Sequence, residues 1–237
     1  MDTFTATVTR VTDLTHNVRE VALRLVQPDH IDFRAGQFIS FHIDRPGSRF
    51  GVTRAFTIAS PPDNGRELLL LLDRVPEGRG SGYLYGLNAG DTTSFRGPFG
   101  NFHLGDHDRD LLLVANGTGI APFRSMLWWL AGHVPHRKVS LLWGLRTQQD
   151  IYYAHDFVKL REHMRHFEAR ITLLEPPADW DGARGSIAAL VDSEIARVDN
   201  LEVFICGSSA MVTEVASIIR RKGDCPVRKE PYYAATT

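Results

Sequence analysis

The chain has 237 residues, with 27 basic and 28 acidic side chains for a formal net charge of −1, and is 43% hydrophobic and 23% charged. That balance excludes a partner held by a strong overall positive field, such as nucleic acid, and the composition is that of a globular rather than a disordered chain. The length suits one large domain or two small ones, no apolar run approaches the roughly 18 residues of a membrane span, and Met1-Asp2-Thr3-Phe4-Thr5 lacks the basic start and apolar stretch of a secretory signal, so a cytoplasmic protein is expected.

The first hundred residues read as β structure. Residues 4–8 are β-prone and partly alternating, residues 18–26 set Val18, Val21, Leu23 and Leu25 in a mostly period-two pattern, and residues 37–43 precede the turn Arg45-Pro46-Gly47. Further strands are expected over 53–59, 67–73 and 92–95, and short strands split by Gly, Pro and Asn turns indicate an antiparallel barrel or sandwich. After about Phe102 the texture changes. Residues 111–115 form a continuous apolar run suited to a strand buried on both faces, followed by a glycine turn and a helix over 121–131. The alternation then repeats: strand 139–143 and helix 150–165, strand 171–174 and helix 186–197, strand 201–206 and helix 210–221. Such alternation builds parallel βαβ units, so two domains are expected, joined near 105–109.

Four stretches carry chemistry. In Arg54-Ala55-Phe56-Thr57 a strand places a cation and an aromatic ring on one face and a hydroxyl on the other. In Arg74-Val75-Pro76-Glu77-Gly78-Arg79-Gly80-Ser81 the glycines free the backbone to aim N–H groups at one point, Ser81 is placed to cap a following helix, and that helix start favours an anion. Gly97-Pro98-Phe99-Gly100-Asn101-Phe102 reads as the turn that closes the β half. In Val114-Ala115-Asn116-Gly117-Thr118-Gly119-Ile120-Ala121-Pro122 a buried strand runs into glycines and a helix with Pro in its first turn, where a doubly wound sheet binds a nucleotide. It is not the usual dinucleotide fingerprint, because Pro122 stands at the last glycine position and no strong signal for a ribose-binding acid follows at the usual distance. The two cysteines, Cys206 and Cys225, are too few for an iron–sulfur cluster or a structural zinc site, and the histidine pairs His163/His166 and His103/His107 find no third ligand at metal spacing.

Together with Cys206-Gly207-Ser208-Ser209-Ala210-Met211, these motifs resemble in order and spacing the ferredoxin–NADP reductase family of flavoproteins over essentially the whole chain. The departures are Phe56 where Tyr is commoner, Thr57 where Ser is commoner, and Ser208 at the usual Pro. The resemblance implies a β + α/β fold: a six-stranded antiparallel Greek-key barrel binding flavin over residues 1–105, then a doubly wound parallel sheet for NAD(P) over 106–237. It further implies a stand-alone reductase without a cluster domain. By resemblance Arg54 meets a flavin phosphate, Phe56 the isoalloxazine or ribityl, and the Thr57 hydroxyl flavin N5. Gly78, Gly80 and Ser81 form a pyrophosphate cradle with Arg79 or Arg74 nearby, which favours FAD over FMN.

In the second domain the resemblance assigns dinucleotide contacts to Gly117, Thr118, Gly119, Pro122, Gly207 and Met211, and sets Cys206 against the nicotinamide. Arg146 falls on the adenosine side, where it grips a 2′-phosphate or pairs with Asp150. Tyr232 or Tyr233 is the carboxy-terminal aromatic that covers the flavin, and Glu230 stands two residues before Tyr232, where the family has a Glu near its Cys and hydroxyl. The activity implied is an FAD-dependent transfer of hydride from NADPH or NADH, leaning to NADPH, with single electrons exchanged with an external ferredoxin or flavodoxin. Alternatives are the reductase component of an oxygenase, an NAD(P)H:flavin reductase, or a regulatory subunit that has kept the fold. No metal, nucleic acid or membrane partner is expected, and the chain is read as a monomer.

Overall fold

The structure, a computed structural model, describes residues 2–43, 51–75, 78–105 and 108–232, with Arg79 described by its backbone alone. The turn at Arg45-Pro46-Gly47, Pro76, Glu77, Tyr233 and the residues after it lie outside the described residues.

Six strands, β1 (Thr3–Asp13), β2 (Val18–Gln27), β3 (Phe38–Ile43), β4 (Val52–Thr57), β5 (Glu67–Asp73) and β6 (Thr92–Phe99), pair antiparallel in the order β4-β3-β6-β1-β2-β5. The sheet closes on itself. Ile58 bridges Leu70, and the Ala59 N–H donates to the Leu69 carbonyl at 2.7 Å. Alternation sends Phe4, Ala6 and Val8 of β1 and Ile39, Phe41 and Ile43 of β3 into one core, while β5 is buried on both faces from Leu68 to Leu72. The short helix α1 (Arg79–Tyr85) joins that core through Leu84, and Tyr83 meets Phe41 with ring centroids 5.9 Å apart. Gly97-Pro98-Phe99, expected as a turn, instead ends β6. The extended strand lets Phe99 pack on Phe38 at 5.8 Å, and the turn begins only at Gly100, whose φ is +97°.

The second sheet holds β7 (Asp110–Asn116), β8 (Val139–Leu145), β9 (Phe167–Leu173), β10 (Ala183–Arg184), β11 (Leu201–Ser208) and β12 (Val227–Tyr232), all parallel, in the order β10-β9-β8-β7-β11-β12. The helices are α2 (Ala121–His133), α3 (Ala154–His163), α4 (Ile187–Glu194) and α5 (Ser209–Lys222). Helices α4 and α5 pack their apolar faces on Leu112, Val114, Leu142, Val203 and Ile205. From β7 the chain steps through β8, β9 and β10 to one side and β11 and β12 to the other, so the switch point lies between the carboxyl ends of β7 and β11. At the opposite end of β11, the fully buried Glu202 accepts from Arg228 Nε at 2.9 Å and lies 3.5 Å from Arg137 Nη2.

Residues 1–104 with 121–129 form one compact unit, and residues 105–120 with 130–237 form the other. The first nine residues of α2 therefore group with the barrel. Ser125 Oγ donates to the Ser60 carbonyl at 2.6 Å, Arg124 donates to the Ala59 carbonyl at 3.0 Å, and Phe123 packs on Phe102 at 5.9 Å. No helix among the described residues is long and apolar enough to cross a membrane, and no group of three or more His, Cys, Asp or Glu able to hold a metal occurs among them.

Candidate functional site

The barrel unit builds one half-site from β4 and the start of α1. The side chains of Arg54 and Phe56 alternate with exposed Thr53 and Ala55, and Phe56 meets Phe41 edge-on at 5.8 Å. A Cβ placed on Gly80 would stand 2.8 Å from Arg54 Cγ and 3.3 Å from Phe56 Cζ, so the helix start and the strand approach closely only because residue 80 lacks a side chain. One ligand can then touch a guanidinium, an aromatic ring and the first-turn amides, which have no intrahelical acceptors. A flavin diphosphate fits that donor set. Thr57, at the end of β4, is buried and pairs with Phe38.

Two sequence expectations change here. Ser81 does not cap α1: the cap is Gly78, extended at φ −68° and ψ 114°, and Ser81 lies in the first turn. Its hydroxyl reaches the carbonyls of Gly78 at 3.0 Å and Val75 at 3.2 Å while the Val75 N–H donates to it at 3.3 Å, so it ties Val75 to the start of α1. Arg74 stands over the Tyr85 ring at 5.9 Å, which Arg19 also covers at 4.4 Å, at the far end of α1 from Gly78. For Arg79 only the backbone, as the first residue of α1, is placed.

The second half-site sits at the switch point of the parallel sheet. Gly117 opens a single 3-10 turn, Gly117–Ile120, at φ +51°, and its carbonyl is held by two donors, Trp143 Nε1 at 2.9 Å and Tyr152 Oη at 3.1 Å. The two rings meet edge-on with centroids 4.8 Å apart. Thr118 is buried, and Pro122 lies in the first turn of α2. A Cβ on Gly119 would collide with the Cys206 carbonyl, and one on Gly207, at φ +142°, with Asn116 Oδ1 and, at 2.9 Å, with Met211 Cε. Asn116 staples the ends of β7 and β11: its Oδ1 accepts from the Ser208 N–H at 2.9 Å and its Nδ2 donates to Ser208 Oγ at 3.2 Å.

Register places Cys206 between Ala115 of β7 and Glu230 of β12, and Ser208 opposite Tyr232. The Cys206 side chain is fully buried. Burial pushes its thiol well above the usual 9.0, opposed by a hydrogen bond from the Tyr232 side chain and reinforced by the nearby Glu230 charge. Burial also raises the Glu230 carboxyl above its usual 4.5. Tyr232 thus engages the thiol from the edge strand, and Tyr233 lies outside the described residues.

Arg146, one residue past β8, does not pair with Asp150. Asp150 Oδ2 is taken by the Thr147 N–H at 2.9 Å and the Thr147 hydroxyl at 2.8 Å, in a capping box, and Arg146 Nε donates instead to Glu175 Oε1 at 3.0 Å. Sequence reasoning passed over Asn116, Trp143, Tyr152 and Glu175. Of these only Asn116, adjoining the Gly117 turn, had a local signal.

Residues 5–104 match the family described as oxidoreductase FAD-binding domain, and residues 113–217 the family described as oxidoreductase NAD-binding domain. Ferredoxin–NADP reductase B of Sorangium cellulosum (strain So ce56) is 34% identical over 231 residues, which cover 92% of this chain and 91% of that protein. Reductase component 2 of terephthalate 1,2-dioxygenase from Comamonas sp. is 33% identical over 216 residues, and there the match covers 90% of this chain and 62% of the relative's length. Among solved structures, an Amycolatopsis cytochrome P450 reductase superposes with a TM-score of 0.88 at 29% identity, over 99% of this chain and 71% of that one.

Proposed function

This chain belongs to the FAD- and NAD-binding oxidoreductase family that contains the ferredoxin–NADP reductases, and from that premise we propose that it passes hydride from a nicotinamide dinucleotide to FAD and single electrons onward to an external protein carrier. The observation that carries this reading is the pairing of two built half-sites with the two family matches: the Gly80 cradle beside Arg54 and Phe56 within the FAD-binding match, and the Gly117–Cys206 edge within the NAD-binding match.

When bound, FAD supplies the exchange between a two-electron hydride and single electrons. The chain's own residues position and insulate. Arg54 offers a planar fork to a diphosphate, Phe56 an aromatic face, and the first-turn amides of α1 a cluster of donors for the same charge. On the second unit, Gly117 and Gly119 let a dinucleotide backbone approach the carboxyl ends of β7 and β11. Cys206 is held as a neutral thiol, so it walls the nicotinamide position without adding a charge. Glu230, with its carboxyl raised by burial, is the neighbouring group able to hold a proton there.

The carrier is of ferredoxin or flavodoxin type, and the Sorangium relative, a ferredoxin–NADP reductase, supports the first of these. The Comamonas and Amycolatopsis proteins support a second reading, the reductase component of an oxygenase system, which differs in carrier rather than in chemistry. The cradle for a diphosphate disfavours a flavin reductase that holds flavin only as a passing substrate. The test is to purify the protein, measure bound FAD, and titrate it anaerobically with NADH and with NADPH before adding candidate carriers. Stoichiometric FAD bleached by at least one dinucleotide is expected. Absence of FAD, or FAD that neither dinucleotide bleaches, overturns the reading.

A further inference from the structure

Coenzyme choice rests on groups beyond the glycine turn. In a doubly wound sheet a dinucleotide binds at the switch point with its pyrophosphate at the first turn, here Gly117–Gly119, so its adenosine would meet the strands next in order on the long side of the sheet, β8 and β9. At a strand spacing of about 4.8 Å, the end of β9 lies about 10 Å from that of β7, within reach of one nucleoside.

Two charged residues stand at those ends. Arg146 directly follows β8 and Glu175 is the second residue after β9. Their backbones are joined, because the Glu175 N–H donates to the Arg146 carbonyl at 2.8 Å and the Leu174 N–H to the Leu145 carbonyl at 3.0 Å. Their side chains are joined as well, with Arg146 Nε 3.0 Å and Nη2 2.9 Å from the same oxygen, Glu175 Oε1. The rival partner, Asp150, is already committed to Thr147. Beyond Glu175 the loop is pinned rather than adaptable: Arg184 Nη2 donates to the carbonyls of Pro177, Ala178 and Trp180 at 3.1, 3.0 and 2.8 Å, and Trp180 Nε1 donates to the Ala183 carbonyl at 2.9 Å. The Arg146 and Glu175 side chains are nonetheless 73% and 59% exposed, open to a ligand from above.

A carboxylate whose one oxygen is bound by Arg146 still accepts hydrogen bonds at the other, and a ribose 2′-hydroxyl is a donor. A 2′-phosphate is an acceptor carrying about −1.5 to −2 charges near neutral pH. To use Arg146 it must displace Glu175 and then lie beside the freed carboxylate. The sequence leaves Arg146 open to a 2′-phosphate or to Asp150 and leans to NADPH; with the charge of Arg146 met by Glu175 the preference reverses. We infer that the Arg146–Glu175 pair at the ends of β8 and β9 selects the non-phosphorylated coenzyme, NADH over NADPH, with Glu175 as the specificity-determining residue. The inference rests on the dinucleotide site of the proposed function and names its substrate.

The test uses the intact FAD-loaded protein and two independent readouts: kcat/KM for flavin reduction by NADH and by NADPH, and calorimetric affinity for 5′-AMP against 2′,5′-ADP. NADH and 5′-AMP should each be favoured by about tenfold or more, the size of one lost charge-assisted contact plus repulsion. Glu175→Gln should shrink both ratios by about tenfold, mainly through the KM for NADPH, without changing FAD content. Adding Arg146→Ala to Glu175→Gln should abolish the gain for the phosphorylated ligands. A wild-type preference for NADPH and 2′,5′-ADP, or ratios that Glu175→Gln leaves unmoved, overturns the inference. If neither dinucleotide reduces the flavin, the catalytic reading falls, while the 5′-AMP and 2′,5′-ADP affinities still decide this one.

Discussion

Replacing Tyr152 by Phe removes one of the two donors on the Gly117 carbonyl and little volume. The remaining Trp143 bond, at 2.9 Å, keeps that carbonyl paired, so the loss is an ordinary net hydrogen bond, about 0.5–1.5 kcal/mol. Trp143→Phe removes the other donor and part of a ring that is fully buried between Tyr152 at 4.8 Å and Phe157 at 5.8 Å. Its expected cost is about 1–3 kcal/mol, hydrogen bond and cavity together. The double variant leaves the carbonyl with neither donor, which adds an orphaned-acceptor penalty of about 1–3 kcal/mol, so it should lose more than the sum of the singles. Urea unfolding of the four proteins, saturated with FAD, measures that excess. Because Gly117 sits at φ +51°, loosening its peptide also misdirects the turn that faces the dinucleotide. Tyr152→Phe should weaken dinucleotide binding about threefold to tenfold, equivalent to about 0.7–1.4 kcal/mol, with FAD content unchanged. Strict additivity of the two substitutions, or a double variant with wild-type dinucleotide affinity, would refute the clamp.

Gly80→Ala should reduce FAD affinity at least about tenfold, while the apoprotein changes little in stability because the helix-propensity gain of about 1 kcal/mol is offset by the displacement of Arg54, whose Cγ the new Cβ would meet at 2.8 Å; flavin fluorescence titration and apoprotein melting separate the two effects. The buried, protonated Cys206 should resist alkylation in the native protein while the half-exposed Cys225 reacts first, as peptide mapping after iodoacetamide would show; rapid native labelling of Cys206 would contradict its environment. Burial raises the Glu230 carboxyl, so its ionised form penalises the fold above the folded-state value, and the penalty disappears as pH falls below about 4.5, the unfolded value. Glu230→Gln should therefore raise the melting temperature at neutral and alkaline pH, with the gain fading in acid; a gain that grows in acid would reverse the sign argued here. Glu202→Ala should cost about 3–5 kcal/mol in chemical unfolding, because it strands Arg137, which is nearly as buried as its partner.

Periodicity carried most of the fold. The Glu67–Asp73 strand follows from its leucine run and β7 from its apolar run, because both are buried on two faces and need no knowledge of their neighbours. β12 was illegible for the opposite reason. Val227-Arg228-Lys229-Glu230-Pro231-Tyr232 is polar and contains a proline, which an edge strand tolerates, and its sheet partner among the described residues, β11, lies 24 residues upstream in register, with Val203 opposite Val227. Site residues divided in the same way. Gly119 and Gly207 were visible because a missing side chain marks a close approach, and Gly117 because its turn needs a positive φ, whereas Trp143 looks like any buried strand residue until its indole N–H is seen to meet Gly117. Arg146 misled because sequence offered Asp150 one helical turn away, and a threonine between them had already claimed it. Ser81 misled by three residues, since within a glycine-rich turn the cap position is set by φ and ψ rather than by the nearest hydroxyl.

The grouping of residues 121–129 with the barrel bears on how such a chain is inherited. The polypeptide passes between its two compact units at 104/105, 120/121 and 129/130, so the units are threaded through each other along the chain rather than strung in series. A recombination that cut at 105 to join either unit to a new partner would strip the barrel of Ser125 and Arg124, leaving the Ser60 and Ala59 carbonyls without those donors. A barrel excised for study keeps those two donors only if residues 121–129 are supplied with it.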